Sequence, residues 1–385
     1  MAKTNNGLTL AEKLKLIDKI SDEVNSKAGK VIAGRLSKNK EMLDKLTIKF
    51  IPSVCHDFNV ATGGGYPRGR CTLISGLSDV GKTSRVLEDI GYNMKQDQSF
   101  VALWVETENS LDKDMISGTF DIDLNRFIIL DYDPNLGAEG ILDIISGYMT
   151  AAPFDMVVIN SLKALVPTKI LEEDMSMQTP AIQARLWSKM SMKFTSLVAE
   201  GNTAFILITH MYTGIGTYMS PQVISGGMAI KYWSGLTMSF AKKTLGAGDP
   251  ISKEEGMHVE VTIKKNRNFS DRLPYQKFDY YVIFGEGTET ILTNLASFIN
   301  AGLLQAKGSY IYLLDDKGEK VESFQGKQKY RQYMIDHPDV YEKLVAKLPT
   351  TSTVTALSEE EVADIEREEN EADNIVDQIE IEDPK

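Results

Sequence analysis

The sequence predicts an α/β fold in which helices surround a mostly parallel central sheet. Two observations support this prediction. Between about residues 49 and 284, short apolar runs alternate with stretches of helical periodicity, as is typical of strands and helices packed in layers. A glycine-rich loop motif also follows directly after the first of these runs. The predicted strands span residues 71–75, 100–105, 156–159, 204–208, 236–240, 259–263 and 280–284.

The segment before this core predicts one amphipathic helix over residues 8–24. Its apolar side chains recur at the spacing of one helix face, at Leu10, Leu14, Ile17, Ile20 and Val24. Such a face packs on its own domain or docks on a neighbouring subunit, and the sequence favours neither. We therefore predict that residues 1–45 form a helical region that serves local packing or polymerisation.

The core is predicted to span residues 46–287 and to be followed by a small α+β domain over residues 288–348. In that second domain, helices near residues 293–301 and 327–335 flank a hairpin with Lys317 and Gly318 in its turn. The hairpin covers about residues 310–322. Residues 349–385 combine many acids with a few scattered apolar residues and cannot bury enough surface to fold. They are predicted to be an acidic, disordered tail.

Charge is distributed unevenly along the chain. The formal net charge is -12, yet residues 359–385 hold 13 acidic and two basic side chains and so contribute -11. The first 49 residues hold 11 basic and six acidic side chains. A basic head and an acidic tail around a nearly neutral core suggest a nucleic-acid partner. The tail either competes with DNA for basic surfaces or keeps the protein in solution.

Composition also narrows the class of protein and its compartment. A hydrophobic share of 42% excludes a wholly disordered or fibrous chain. Cys55 and Cys71 are the only cysteines, too few for a disulfide framework, which fits a reducing compartment. No apolar run approaches the roughly 20 residues that cross a bilayer, and the first residues lack the apolar core of a signal peptide. The sequence therefore predicts a cytoplasmic protein.

Residues 76–83 match the phosphate-loop pattern G-x-x-x-x-G-K-[ST]. The motif lies between a predicted strand and a predicted helix over residues 84–94, which are the flanks that it requires. Its glycines let backbone N–H groups converge on phosphate oxygens, its lysine reaches the outer phosphates and its threonine hydroxyl can bind Mg²⁺. The sequence therefore predicts a nucleoside triphosphate site at Gly76, Ser78, Asp79, Val80, Gly81, Lys82, Thr83 and Ser84.

Polar side chains follow three other predicted strands, at the point where each strand ends. They are Glu106 and Glu108, Asn160 and Ser161, and Thr209 and His210. Taken singly, each is more often a helix cap or a solvated strand end. Together they favour a shared site, because the carboxyl ends of parallel strands border the crevice where ligands bind. A carboxylate there can orient or deprotonate water, and an amide or imidazole can sense a phosphate.

Further segments are similar to those of one protein family. They are residues 64–70, which lead into the phosphate loop, residues 106–112 and 157–167, residues 226–232, residues 265–267 and residues 284–287. In these segments the chain resembles the RecA recombinase family, both its bacterial type and its phage UvsX relatives. The resemblance includes the predicted C-terminal domain and extends over about residues 46–348.

The resemblance implies an ATP-dependent filament on single-stranded DNA that promotes homologous pairing and strand exchange with double-stranded DNA. ATP and Mg²⁺ are then expected between two subunits. Glu108 would act on water beside Lys82 and His210, while Lys265 and Arg267 would approach the phosphates from the neighbouring subunit. Partners implied by the family are a single-strand-binding protein and loader or mediator proteins. The residues expected around adenine are Asp112, Met115, Phe284 and Gly285.

Two loops correspond to the DNA-facing loops of the family, at residues 172–179 and 211–225. Met175 and Ile215 are the predicted side chains between bases. The second loop contains no Lys or Arg, which predicts a shallow salt dependence of DNA binding. Its alternative interpretation is a mobile surface loop. The other residues expected at DNA are Arg185, Tyr212, Tyr218, Gly226 and Gly227.

Three residues depart from the family pattern. Asn160 replaces the usual Walker B aspartate, so one negative charge is missing near the expected Mg²⁺. Thr83 would bind this Mg²⁺ directly, and Asn160 would bind it through a water molecule. This predicts weaker metal binding or slower hydrolysis unless Glu106 compensates. His210 replaces the glutamine of most bacterial members, and its protonation would make phosphate sensing depend on pH. Met115 replaces an aromatic residue, which leaves base selectivity open.

Two alternative functions follow from the same sequence. The first is a RecA-fold accessory or regulatory ATPase with weak hydrolysis and no strand exchange, which Asn160 and the uncharged second loop support. The second is a hexameric helicase or clock-type ATPase on the same core, which the family-like C-terminal segment disfavours. The leading prediction remains a DNA-dependent ATPase that acts as a recombinase.

Overall fold

The computed structural model describes residues 10–40, 42, 46–172, 180–213, 222–224, 227–246, 249–268 and 276–348. The chain divides into one compact unit up to Lys49 and a second from Phe50 onward. In the first unit, the helix Leu10–Ala28 confirms the predicted amphipathic helix and extends it by one turn. Asp18 of this helix accepts hydrogen bonds from Arg35 and Lys38. The predicted acidic tail lies outside the described residues.

All seven predicted strands are present in the second unit. In chain order, its strands are β1 (Phe50–Ile51), β2 (Tyr66–Pro67), β3 (Arg70–Gly76), β4 (Ala102–Glu106), β5 (Phe127–Asp131), β6 (Met156–Asn160), β7 (Ala204–Thr213), β8 (Gln222–Ile224), β9 (Leu236–Lys243), β10 (Gly256–Asn266), β11 (Lys277–Ile283), β12 (Gly287–Thr288), β13 (Leu304–Lys307), β14 (Tyr310–Leu314) and β15 (Lys320–Gln325).

Helices of the second unit flank and connect these strands. They are His56–Thr62, Lys82–Gln96, Gly137–Ala151, Thr168–Glu172, Pro180–Glu200, Gly227–Trp233, Thr290–Thr293, Leu295–Asn300, Gly326–Asp336 and Pro338–Ala346. The second unit also contains a short 3-10 turn at Leu162–Ala164 and a π-helical turn at Asp114–Thr119. The first unit has one 3-10 turn, at Leu36–Lys38. Among the described residues, no helix has the length and apolar character to span a bilayer.

The main sheet confirms the predicted α/β fold with a mostly parallel centre. Its strand order is β12-β11-β10-β9-β3-β7-β6-β4-β5, and β8 pairs with the end of β7. The strands from β9 to β5 in this order run parallel, whereas β10, β11 and β12 are antiparallel. The carboxyl ends of β3, β7, β6 and β4 therefore lie side by side at one edge.

The central strands are apolar along their whole length because helices cover both faces of the sheet. Alternate residues point to opposite sides. Ile74 and Trp104 belong to one buried cluster, and their neighbours Leu73 and Leu103 belong to the other. Continuous apolar runs of this kind fix these strands at the centre of the sheet and hold their polar last residues at its edge.

The sequence prediction missed several elements, among them the helices His56–Thr62 and Pro338–Ala346, strand β5 and the helix Gly137–Ala151. Strand β5 lies at the edge of the sheet and is half exposed, with Ile129 at 45%, so it lacks the continuous burial of the central strands. The helix Gly137–Ala151 contains Gly140 and Gly147, which weaken the helical pattern. The helix predicted near residues 293–301 is present as Leu295–Asn300. A separate short helix, Thr290–Thr293, precedes it and begins where Glu289 accepts a hydrogen bond from the backbone N–H of Leu292.

The C-terminal residues form a separate antiparallel sheet of β13, β14 and β15. Its hairpin confirms the predicted turn, with Gly318 at φ +80°, a conformation that favours glycine. The predicted helix over residues 327–335 is present as Gly326–Asp336. Phe298, Phe324 and Tyr330 belong to a buried cluster of this region.

Candidate functional site

The phosphate-loop residues connect β3 to the helix Lys82–Gln96. Asp79 and Gly81 have positive φ angles of +60° and +79°, which reverse the chain before the helix begins. A Cβ added at Gly76 would lie 2.5 Å from the carbonyl oxygen of Phe240, and one added at Gly81 would lie 2.8 Å from Met257 Cε. Both glycines are therefore required for close packing. The predicted helix begins at Lys82, two residues earlier than the sequence indicated.

Lys82 lies buried inside this loop, with 4% of its surface exposed. Its Nζ donates hydrogen bonds to the carbonyl oxygens of Gly76, at 3.1 Å, and Leu77, at 2.6 Å. Burial lowers the pKa of Lys82 to about 8, although the carboxylates of Glu108 and Asp79 oppose this shift. The ammonium group is thus held where an anion bound by the loop would meet it.

We expect triphosphate binding to weaken as the pH rises above about 8. The ammonium form of Lys82 attracts phosphate. Above that pH, Lys82 must take up a proton when the triphosphate binds, so the affinity for triphosphate falls by up to about tenfold per pH unit. Titration with a fluorescent ATP analogue at several pH values measures this slope. Lys82→Arg is the matched control, because a guanidinium stays charged throughout. A parent protein with the same flat profile as this variant would contradict the prediction.

Thr83, in the first turn of the helix Lys82–Gln96, meets Asn160 at the end of β6. The Thr83 hydroxyl donates to Asn160 Oδ1 at 3.2 Å. The Asn160 amide nitrogen then donates to Glu106 Oε2 at 3.3 Å and to the Ser110 hydroxyl at 3.1 Å. Asn160 is fully buried. Thr83 and Asn160 therefore turn oxygen atoms, the ligand type that Mg²⁺ prefers, toward the loop.

Glu106 places a buried carboxylate directly beside Asn160. The two residues are directly paired between β4 and β6. Glu106 is 4% exposed, and its carboxylate also accepts from Trp104 Nε1 at 2.9 Å and from the backbone N–H of Glu108 at 2.8 Å. A buried carboxylate needs such donors. No motif in the sequence indicates the contacts with Trp104 and Ser110.

Asn160→Asp is expected to lower the free energy of unfolding by about 1–3 kcal/mol, because it removes a buried donor and brings two carboxylates together. Adding Glu106→Gln restores one charge and one amide, so the double variant should recover most of this stability. Thermal unfolding of the parent, both single variants and the double variant measures the coupling. An Asn160→Asp protein as stable as the parent, with faster hydrolysis, would contradict this account of Glu106.

Glu108 and His210 form a direct hydrogen bond across the strand ends. His210 Nε2 lies 2.8 Å from Glu108 Oε1, which also accepts from the Ser161 hydroxyl. On its other side, His210 Nδ1 lies 3.4 Å from the Ser78 hydroxyl of the phosphate loop. The structure thus brings together residues from the ends of three strands and the loop. This arrangement can hold a water molecule next to a carboxylate and an imidazole.

The four residues expected around adenine line one cavity of about 480 Å³ next to the phosphate loop. Met115 contributes its half-buried side chain, and Asp112 accepts a hydrogen bond from the Met115 backbone N–H at 2.8 Å. Phe284 is 51% exposed at the rim. The lining predicted from the sequence comprises Asp79, Gly81, Ser84, Asp112, Met115, Phe284 and Gly285.

Sequence reasoning missed other walls of this cavity. Lys242 of β9, Met257 of β10 and Tyr280 of β11 line it, together with Arg85 and Glu88 of the helix that follows the loop. The three strand residues are far from the loop in sequence. Lys242 comes near it through the parallel pairing of β9 with β3, and Met257 and Tyr280 through the antiparallel pairing of β10 and β11. No motif in the chain indicates that pairing.

Lys265 and Arg267 are not near the phosphate loop of their own chain. Lys265 pairs with Thr237, which in turn pairs with Leu73 of β3. Leu73 lies three residues before Gly76, the last residue of β3, so Lys265 is level with a point about 10 Å along the strand from the start of the phosphate loop. The Arg267 backbone N–H donates to the Gly235 carbonyl oxygen at 2.8 Å, still nearer the amino edge. Lys265 Nζ donates to backbone carbonyl oxygens, and burial lowers its pKa to about 8.

The residues expected at DNA are only partly described. Arg185 is exposed on the helix Pro180–Glu200. Tyr212 lies in β7 and Gly227 begins the helix Gly227–Trp233. Met175, Ile215, Tyr218 and Gly226 lie outside the described residues.

A metal ion at this site would depend on more than protein carboxylates. Within the described ranges, His, Cys, Asp and Glu side chains form no group of three that could hold a metal ion. The donor set at the loop is a hydroxyl and an amide oxygen. It fits Mg²⁺, which keeps several waters and usually takes phosphate oxygens as ligands.

Comparison with known proteins agrees with this geometry. A family model described as the RecA N-terminal domain matches residues 15–289, which include every strand of the main sheet. The RecA proteins of Aquifex pyrophilus and Thermus aquaticus are each 29% identical, over 89% and 91% of this chain and 93% and 98% of their own. RecA 1 of Myxococcus xanthus is 28% identical over 90% of this chain and 96% of its own. Because the family model covers well over half of the sequence, the chain belongs to the RecA family.

Proposed function

We propose that this chain is an ATP-dependent recombinase that polymerises on single-stranded DNA and promotes homologous pairing and strand exchange. One observation carries the proposal: Lys265 lies level with the middle of β3 and Arg267 nearer its amino end, so neither lies at the carboxyl edge with Lys82 and Glu108. A phosphate group at the loop meets both sets only if a second copy supplies one of them. Head-to-tail contact of this kind generates a closed ring when the rotation between copies closes and a helical polymer when it does not; the resemblance to the RecA family favours the polymer.

Hydrolysis in this proposal uses side chains from both subunits. Lys82 binds the outer phosphates, Glu108 orients and deprotonates the attacking water, and Arg267 of the next subunit stabilises the charge that develops on the transferred group. Bound ATP would supply the phosphoryl group. Thr83, and Asn160 through a water molecule, would hold Mg²⁺, which when bound would neutralise charge on the phosphate oxygens. The residues that line the neighbouring cavity enclose the base.

The path from nucleotide to DNA is short in this chain. His210 lies in β7, and the last three residues of this strand, 211–213, belong to the second predicted DNA loop, where they pair with β8. A change at His210 is therefore passed along one strand into that loop. Met175 and Ile215 would separate bases, and Arg185 would contact phosphate. A single-strand-binding protein and loader proteins remain the expected partners.

An accessory ATPase without strand exchange is the second candidate. It is supported by Asn160, whose buried amide leaves the site with fewer negative charges near the metal. In that case the chain assembles and binds ATP but hydrolyses it slowly.

A D-loop assay separates these two functions. The parent protein is expected to pair a single strand with homologous supercoiled duplex in the presence of ATP, and Lys82→Ala should abolish pairing. Electron microscopy of the same mixtures reports assembly. Filaments that form on single-stranded DNA without any pairing would contradict recombinase function and favour the accessory ATPase.

A further inference from the structure

A short hairpin of β11 and β12 forms one rim of the cavity next to the phosphate loop. Val282 pairs with Thr288 and Ile283 with Gly287, so the turn between the two strands presents Phe284, which lines the cavity. Strand β12 has only two residues, and among the described strands it pairs with β11 alone. Two backbone pairs hold a strand weakly, so side-chain contacts decide where β12 lies.

The helix Lys82–Gln96 provides those side-chain contacts. Glu88 Oε1 accepts a hydrogen bond from the backbone N–H of Thr288 at 2.8 Å, and Glu88 Oε2 accepts one from the Thr288 hydroxyl at 2.7 Å. Arg85 Nη2 donates to both Glu88 and the Thr288 hydroxyl. These three residues form the Arg85–Glu88–Thr288 clamp. The clamp connects the second strand of the hairpin to the helix that begins at the phosphate loop.

The clamp is buried and closely packed. The side chains of Arg85 and Glu88 are 1% and 16% exposed. A Cβ added at Gly287 would lie 2.7 Å from Glu88 Oε1, so β12 can approach the helix this closely only with a glycine there. The second guanidinium nitrogen of Arg85, Nη1, lies 3.4 Å from Asp89 Oδ1. Hydrogen bonds between charged groups are stronger than neutral ones, so the clamp holds the hairpin at a fixed distance from the helix.

The position of the clamp separates the base cavity from the phosphate loop. Arg85 and Glu88 line the same cavity as Phe284, which is 51% exposed at the rim. Lys82 lies one turn earlier on the helix and is held by carbonyl oxygens of the loop instead. Release of the clamp would therefore move a wall of the base cavity and leave the phosphate-binding lysine in place.

We propose that the Arg85–Glu88–Thr288 clamp positions Phe284 against the nucleobase and so makes the affinity of this chain for a nucleotide depend on the base. Its members are positioning residues, because they act through the hairpin and not on the reacting atoms. The proposal rests on the proposed nucleotide site and adds the residues that set the width of its base cavity. Loss of the clamp should weaken the binding of ATP and leave unchanged the binding of a triphosphate that has no base.

Competition against a fluorescent ATP analogue tests this separation, with ATP and inorganic tripolyphosphate as the two probes, each with Mg²⁺. Glu88→Gln keeps the shape of the side chain but removes the charge that holds Arg85 and Thr288. Its inhibition constant for ATP should rise about tenfold, the effect of one hydrogen bond to a charged group. Its inhibition constant for tripolyphosphate should stay within about twofold of the parent value.

Two substitutions at Thr288 separate the hydroxyl contact from the shape of the side chain. Thr288→Val removes the hydroxyl that both Glu88 and Arg85 contact, and it should weaken ATP in the same way as Glu88→Gln. Thr288→Ser keeps the hydroxyl, and it should bind ATP like the parent protein. Equal ATP affinity in these two variants would show that the hydroxyl does not position the base wall, and would overturn the proposal.

Asp89→Asn is the matched control for a general loss of stability. It changes the other charged partner of Arg85. The remaining hydrogen bonds of Asp89 come from Ser53, Val54 and Tyr66, which precede the phosphate loop in the chain. The variant should unfold at a lower temperature than the parent protein. Its ratio of ATP to tripolyphosphate affinity should nevertheless stay within about twofold of the parent ratio.

Hydrogen exchange measures the clamp without any nucleotide. The Thr288 amide hydrogen is bonded to Glu88 in the parent protein, so exchange in a peptide over residues 284–289 should be about tenfold faster in Glu88→Gln. Unchanged exchange, or an equal loss of ATP and tripolyphosphate affinity, would overturn the proposal. Tripolyphosphate that does not compete in the parent protein would also overturn it, because base and phosphate binding would then be inseparable. A parent protein that binds no ATP analogue would instead contradict the nucleotide site itself.

Discussion

Replacing Glu108 with glutamine is expected to lower kcat for ATP hydrolysis at least about 100-fold. Glu108 lies at the end of β4, beside the loop, and faces His210 and Ser161. An amide cannot accept a proton from water, but it fills the same space and can keep both contacts. ATP binding should therefore be retained while turnover is lost, which a steady-state ATPase assay with single-stranded DNA measures together with a binding titration.

Glu342→Gln is the matched control for this variant. Glu342 is exposed on the helix Pro338–Ala346 and undergoes the same chemical change away from the loop. Its kcat should equal that of the parent protein. If Glu108→Gln hydrolysed ATP at more than about a tenth of the parent rate, Glu108 would not be the general base in this chain.

Arg267→Ala is expected to reduce ATP hydrolysis by about 1,000-fold, the scale seen when an arginine that stabilises phosphoryl transfer is removed. Arg267 is exposed, and its side chain has no hydrogen bond or ion pair in the part of the chain that the structure describes. The variant should therefore unfold at the same temperature as the parent. A loss of activity without a loss of stability would indicate that this side chain acts outside its own subunit.

Arg70→Ala provides the comparison at the same edge of the sheet. Arg70 is an exposed arginine at the start of β3, so its removal changes the net charge of that edge equally. Hydrolysis by this variant should remain near the parent rate. An equal loss in both variants would point to a general effect of charge rather than to a specific role of Arg267.

The fold was predictable because its central strands are buried on both faces. Such strands have continuous apolar runs, so 71–75, 156–159 and 204–208 could be located from composition alone. Among the described strands, β5 pairs with β4 alone, and its half-exposed residues give a weaker pattern. Helix Gly137–Ala151 is stabilised by packing of its buried face rather than by propensity, so its glycines concealed it.

Much of the candidate site was predictable for a similar reason. Phosphate-loop residues are contiguous in sequence, and the polar ends of parallel strands meet at one edge of the sheet. The sequence alone therefore predicts that Lys82, Glu108 and His210 share one site. Contacts that depend on register were not predictable. Glu106 lies opposite Asn160 only because β4 and β6 pair residue by residue, and Met257 reaches Gly81 only because β10 runs antiparallel.

The most direct test of the central claim is hydrolysis by a mixture of Glu108→Gln and Arg267→Ala proteins on single-stranded DNA. Each variant alone is inactive. In a mixed filament, some interfaces combine the intact Glu108 of one subunit with the intact Arg267 of the next, up to about a quarter of them in an equal random mixture. We predict that mixing restores activity to about that fraction of the parent rate. A mixture that stays as inactive as its components would contradict a site shared between subunits.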